Sequence, residues 1–106
     1  MHFSDTLKTL PGIDHLAGLQ LLDANGAVVA TLDNRPGQAG SVAVYQALAL
    51  RHGTLGATAA DDGLRLYAEH TADAHAFPGK HPNIDRLVAI TSGTLGPLTV
   101  RPIPRA

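Results

Sequence analysis

Two apolar runs, Leu19 to Leu22 and Ala27 to Leu32, flank the tetrapeptide Asp23-Ala24-Asn25-Gly26. Asn-Gly accepts the positive φ angles of a type I′ turn, so the pattern predicts a β-hairpin. Upstream, Ser4-Asp5-Thr6-Leu7 predicts a short helical start, capped by Ser4 and stopped by Pro11-Gly12. Downstream the apolar period lengthens to that of a helix. Val44, Tyr45, Leu48 and Ala49 share one face of a helix that Ser41 caps and that runs to about Arg51. His52-Gly53 suits its C-terminal end, where the dipole is negative and glycine fits the C′ position.

A second helix is expected from about Ala57 to Ala76. Ala57, Ala60, Leu64, Tyr67, Ala68, Thr71 and His75 fall on its inward arc, with Asp62, Arg65, Glu69 and Asp73 opposite. The adjacent pair Asp61-Asp62 reads as a solvated helix start, and Arg65 with Glu69 as an i,i+4 ion pair. Gly63 inside this helix costs about 1 kcal/mol against alanine, a cost that a close helix contact would explain. Asn83 is the expected cap of a third helix from Ile84 to about Ser92, with Ile84, Leu87, Val88 and Thr91 facing inward. Leu98 and Val100 then alternate with Thr99 and Arg101 as in a strand, and Pro102 and Pro104 confine its end to a sheet edge.

The order short helix, β, β, α, α, α, β predicts an α+β fold. The hairpin and the C-terminal strand form a small antiparallel sheet covered on one face by about three helices, because a bare hairpin is marginal in water. Residues 1–106 are expected to make a single domain. A hydrophobic fraction of 44% and a charged fraction of 16% fit one globular core. With two Tyr, two Phe and no Trp, that core must be mostly aliphatic.

Charge and cysteine content narrow the function classes. The net charge is −1 and the 8 Lys and Arg residues are scattered, so no nucleic-acid partner is expected. The absence of cysteine excludes disulfides, thiolate nucleophiles and cysteine metal sites. No segment has the length of a signal peptide's apolar region or of a membrane span, so a cytoplasmic location without a membrane partner is the expectation.

Two loops carry candidate chemistry. Arg35-Pro36-Gly37-Gln38-Ala39-Gly40-Ser41 joins the hairpin to the next helix. Gly37 and Gly40 let backbone N–H groups approach an anion, Arg35 is a bidentate donor, and a helix start favours negative charge. The segment matches neither a Walker A loop nor the GxGxxG pattern, and a flexible turn with a serine cap is the plainer explanation. Pro78-Gly79-Lys80-His81-Pro82-Asn83 repeats the logic of glycine, cation and helix start. If the two loops meet, Arg35, Gly37, Gly40, Ser41, Lys80, His81 and Asn83 would form one ligand-binding pocket.

The second loop ends a histidine-rich stretch. His70 and His75 are five residues apart, about 140° around a helix, and do not share a face. His70 and Asp73 can share one, but two ligands do not close a metal site. No metal and no other cofactor is therefore expected. His75, on the apolar arc, reads as a partly buried histidine bonded to a carbonyl.

Three segments together resemble a family of short bacterial proteins catalogued only as a domain of unknown function. They are Lys8-Thr9-Leu10-Pro11-Gly12-Ile13-Asp14, Pro36 to Ser41 leading into Val44-Tyr45, and Ala68 to Thr71 through Pro78 to Asp85. The resemblance implies a bacterial, cytoplasmic, stand-alone protein and brings no activity. The residues favour a non-enzymatic binding or accessory module that contacts a small anionic ligand or a protein partner through the two loops. An acid–base enzyme using His81 or His70 with Asp73 or Asp85 is the alternative. Self-association through an exposed sheet edge, as a homodimer for example, is a third reading.

Overall fold

In a computed structural model, which describes residues 2–106, the chain forms five helices and a four-stranded antiparallel sheet. The elements are α1 (Phe3–Leu7), β1 (Leu16–Leu22), β2 (Val28–Asp33), α2 (Ala39–His52), β3 (Thr54–Leu55), α3 (Ala57–Leu66), α4 (Glu69–Ala76), α5 (Pro82–Thr91) and β4 (Leu98–Pro104). The sheet order is β2-β1-β4-β3. The architecture is α+β, with the expected hairpin and C-terminal strand supplying three of the four strands and β1 and β4 at the centre.

Alternation explains which face of the sheet is covered. Leu19 lies opposite Leu32 and Pro102, and Leu21 opposite Ala30 and Val100. Leu19, Leu21, Leu32 and Leu98 are buried beneath the helices, whereas Gln20, Thr31 and Arg101 share the other face, where Arg101 donates to Gln20 Oε1. Val42, Val44, Tyr45 and Leu48 of α2 and Ile84, Leu87 and Ile90 of α5 complete the core. Gly63 lies where a Cβ would stand 2.7 Å from Leu87 and 2.8 Å from Leu48. The glycine inside α3 is thus the close contact between α2, α3 and α5.

Several local expectations are corrected. The hairpin turn is not type I′: Gly26 has φ 81°, but Asn25 does not have positive φ. Asp23 instead organises a longer loop, its backbone N–H donating to Ala27 O and its carboxylate accepting from the Asn25 and Ala27 N–H groups. A fourth strand, the two-residue β3, pairs with Thr99 and Leu98. It stops short of Pro102 and Pro104, so the prolines do lie where one side of β4 is open. His2 rather than Ser4 is the N-cap position of α1.

The expected helix over residues 57–76 is two helices. The break falls at Ala68, with φ 53°, ψ −121°. This is left-handed territory for a residue with a Cβ, at a cost of about 1–3 kcal/mol. Glycine relieves that strain but gains freedom in the unfolded chain worth about 0.4–1 kcal/mol. Ala68→Gly is therefore expected to stabilise the protein by about 1 kcal/mol, read as a rise in urea midpoint at unchanged slope.

The break also changes side-chain placement. Arg65 bonds Asp62 instead of Glu69, and His75 is exposed instead of packed. Asp62, expected in solvent, is 7% exposed and receives Arg51 at 3.2 Å, His52 at 2.9 Å and Arg65. Burial pushes its pKa up, but the His52 and Arg51 hydrogen bonds and the Arg51 and Arg65 charges outweigh this and hold it below the usual carboxylate value.

Candidate functional site

The segment after the α3–α4 break gathers a cluster of ionisable and aromatic side chains. α4 presents His70 and Asp73 one turn apart on one face. The chain then reverses through Pro78-Gly79, with Gly79 at φ 91°. Asp85 holds that reversal by accepting from the Gly79 N–H at 2.9 Å. His81 becomes the N-cap position of α5, with Pro82 in the first turn, so Asn83 is inside the helix rather than its cap.

This geometry brings Lys80 and His81 onto one carboxylate. Asp73 Oδ2 lies 2.6 Å from His81 Nε2 and 2.9 Å from Lys80 Nζ. The His81 and Lys80 hydrogen bonds hold the Asp73 pKa below its usual value. His70 does not bond Asp73. Its ring stands 5.7 Å from the His81 ring and edge-on to Phe3 at 5.2 Å.

Phe3 is the hinge between this cluster and the first candidate loop. It stacks on Tyr67 at 5.3 Å, and a Cβ on Gly40 would lie 3.0 Å from its ring. Glu69 anchors the same segment by accepting from the Phe3 N–H at 2.6 Å. The bond from Glu69's own backbone, with that from Phe3, lowers the Glu69 pKa. Ser41 is not a helix cap. Gln38 occupies that position without a side-chain capping bond, and Ser41 Oγ accepts from Tyr67 OH at 2.7 Å.

A second hydroxyl ties α2 to α5. Tyr45 OH donates to Asn83 O at 2.5 Å, while Arg86 bonds both Tyr45 OH and Asn83 Oδ1. Burial pushes the Tyr45 pKa up to about 12 and raises that of Tyr67 further, so both stay neutral donors.

The predicted ligand residues are therefore distributed as follows. Lys80 and His81 meet at Asp73. Ser41 and Gly40 connect to that cluster through Tyr67, Phe3 and His70. Asn83 faces α2 through Tyr45 and Arg86. Arg35 turns to Asp33 at 2.7 Å, and Gly37 sits in the turn with φ 90°. Among the described residues no group of three or more His, Asp or Glu side chains is arranged to hold a metal ion. No helix among them is long and apolar enough to cross a membrane.

On the other side of Gly40 lies a feature that sequence reasoning missed. An open cleft of about 290 Å³ is lined by Leu7, Leu10, Pro11, Gly12, Ile13, Asp14, Ala39, Gly40 and Ala43. Its walls come from residues 7–14 and the first turns of α2. The signal in the sequence was the apolar spacing that continues from Leu7 to Leu10 and Ile13, beyond the helical start Ser4 to Leu7.

No curated protein and no solved structure matches the chain. The cleft-forming run, the α2 loop and the histidine cluster all fall within residues 3–101, which match the model of DUF2322, described as an uncharacterized protein conserved in bacteria, and the chain belongs to that family.

Proposed function

We propose that the domain is a non-enzymatic binding module whose contact surface is the cleft between residues 7–14 and the start of α2. The cleft carries the reading: its lining is mostly apolar, from Leu7, Leu10, Pro11, Ile13 and Ala43, with Asp14 as its one charged residue. Ligand sites combine mostly apolar walls with a few polar groups in this way. Its small volume suits one or two side chains of a protein partner. The anionic-ligand form of the reading, with Arg35, Lys80 and His81 as cations, is weaker. Asp33 already faces Arg35, and Asp73 already faces Lys80 and His81. An incoming anion would have to displace those carboxylates. A cytoplasmic setting, which a cysteine-free chain suits, belongs to the same proposal.

The test is an amide NMR titration of the native chain and Gly12→Leu with short apolar peptides and, separately, with inorganic phosphate. Gly12 lines the cleft and a Cβ built there meets no atom within 4 Å, so leucine adds bulk at the cleft wall. Saturating peptide shifts at Gly12, Ala39, Gly40 and Ala43 that vanish in Gly12→Leu are expected. Phosphate shifts confined to residues 35–41 and 80–83 would move the reading to the anion site. No saturating shift with either probe would remove the binding reading as placed here.

A second reading is favoured by one contact. Asp73 at 2.6 Å orients the His81 ring as a carboxylate orients a general base. This acid–base reading is distinguished by position: His81→Gln would abolish turnover and leave peptide binding in the cleft intact.

A further inference from the structure

Asparagine is among the chemically labile side chains, and the chain has three: Asn25, Asn34 and Asn83. The structure treats them differently. The Asn34 side-chain amide donates to Ile13 O at 3.0 Å and to Leu16 O at 2.8 Å. Asn83 Oδ1 accepts from Arg86 at 2.8 Å. Both side chains are held in place. Among the described residues the Asn25 side chain has no hydrogen-bond partner, and it is exposed in the loop between β1 and β2.

The following residue differs as well. Asn34 precedes Arg35 and Asn83 precedes Ile84, whose side chains crowd the intervening peptide nitrogen. Asn25 precedes Gly26, which is exposed and has open space where a Cβ would stand. The Gly26 nitrogen is therefore unscreened by a side chain. One clasp restrains it. The Gly26 N–H donates to Asp23 O at 3.0 Å. Asp23 Oδ1 accepts from the Asn25 N–H at 2.9 Å and from the Ala27 N–H at 3.0 Å, and the Asp23 N–H donates to Ala27 O at 2.9 Å. While these bonds hold, the Gly26 proton is engaged and the peptide plane between Asn25 and Gly26 is fixed.

We propose that Asn25–Gly26 is a site of spontaneous deamidation, and that the Asp23 clasp restrains it in the folded chain. The step needs only hydroxide and water. The Gly26 nitrogen gives its proton to base and attacks Asn25 Cγ. The new N–Cγ bond closes a succinimide, and the Cγ–Nδ2 bond breaks as ammonia leaves with a proton from solvent. Water then opens the ring at either carbonyl carbon, leaving aspartate or isoaspartate at position 25. Nothing is oxidised or reduced.

Either product alters the hairpin end. Each adds one negative charge to a chain whose net charge is −1, two residues from the Asp23 carboxylate. Isoaspartate also routes the backbone through the former side chain. The added methylene displaces Gly26 and Ala27 from Asp23, so the modified loop loses the clasp that restrained the reaction. Local opening of such a loop costs far less than global unfolding, so the site is reached without unfolding the core.

Peptide mapping by mass spectrometry, following all three asparagines during incubation at mildly alkaline pH, tests the proposal. In the urea-unfolded chain Asn25 is expected to react at least about tenfold faster than Asn34 and Asn83, with isoaspartate among its products. In the folded native chain the Asn25 rate should fall at least about tenfold, and Asp23→Ala, checked for its fold by circular dichroism, should restore it to within about threefold of the unfolded rate. Hydrogen exchange on the native chain reads the same gate independently of any variant. Protection of the Gly26 amide should equal the slowing of deamidation to within about threefold, because one opening event exposes that nitrogen to both reactions. An unfolded chain in which Asn25 reacts no faster than the other two asparagines would overturn the site. A folded Asn25 that reacts as fast as the unfolded one, or a Gly26 amide without protection, would overturn the restraint by Asp23.

Discussion

Gly18→Ala is expected to destabilise the protein by about 3 kcal/mol, more than any other single methyl addition. Gly18 sits in β1 between two neighbours, opposite Asp33 of β2 and Ile103 of β4. A Cβ there would stand 2.3 Å from the Leu32 carbonyl oxygen and 3.3 Å from the Asp33 Cα. These are backbone atoms. They cannot rotate away as the leucine tips around Gly63 can, so the strands must separate. Separation would strain the β1–β2 ladder and the Asn34 side chain, which donates to Ile13 O and Leu16 O across it. A loss of this size lowers the melting temperature by roughly 12–20 °C. Gly12→Ala is the control: open space surrounds that position, and its effect should stay within about 0.5 kcal/mol. Equal effects at the two glycines would show that the clash is absorbed by local movement.

Gly18 also marks where sequence reading reached its limit. The apolar alternation made the hairpin visible from Leu19 onward, because period two is written in the side chains. A glycine just before that run carries no side chain to register, so its place in the strand and the close approach of Leu32 O were invisible. Gly63 was the opposite case. It interrupts a strong helical arc, and that interruption pointed to a close helix contact, whose partners in the structure are Leu48 and Leu87. The arc was misleading at Ala68, since inward residues continue at helical spacing on both sides of a backbone break. Alanine gives no sign that its φ is positive. Likewise β3, with two residues, is too short for any period.

The site shows the same division. Residue types drew attention to His70, Asp73, Lys80 and His81, and the structure gathers all four. Their pairing was not legible, because Asp73 meets His81 only after α4 has ended and Pro78-Gly79 has reversed the chain. A helical wheel had paired Asp73 with His70. The cleft was missed for a related reason: its two walls are separated in sequence by the whole hairpin, and only the tertiary docking of Phe3 against Gly40 and Tyr67 brings them together.

Asp62→Asn is expected to cost about 2 kcal/mol at neutral pH. Removing one member of a buried ion pair costs about 3–5 kcal/mol. Here Arg65 and Arg51 have side chains 76% and 42% exposed and recover hydration once released, which lowers the figure. The pH dependence separates this electrostatic role from packing. The folded-state pKa of Asp62 lies below its unfolded value. Its charge therefore contributes stability above the unfolded carboxylate pKa of about 3.9, and that contribution is lost as pH falls through the lower folded value. Asp73 and Glu69 have lowered pKa values as well, so the native chain alone would show a composite acid transition. The difference between native and Asp62→Asn isolates one carboxylate, since both proteins retain the other two. Urea unfolding of both at pH 7 and at about pH 3 should show the gap narrowing in acid. A gap that stays constant would mean that Asp62 acts through its shape, and that the convergence of Arg51, His52 and Arg65 on it adds nothing to the join between α2 and α3.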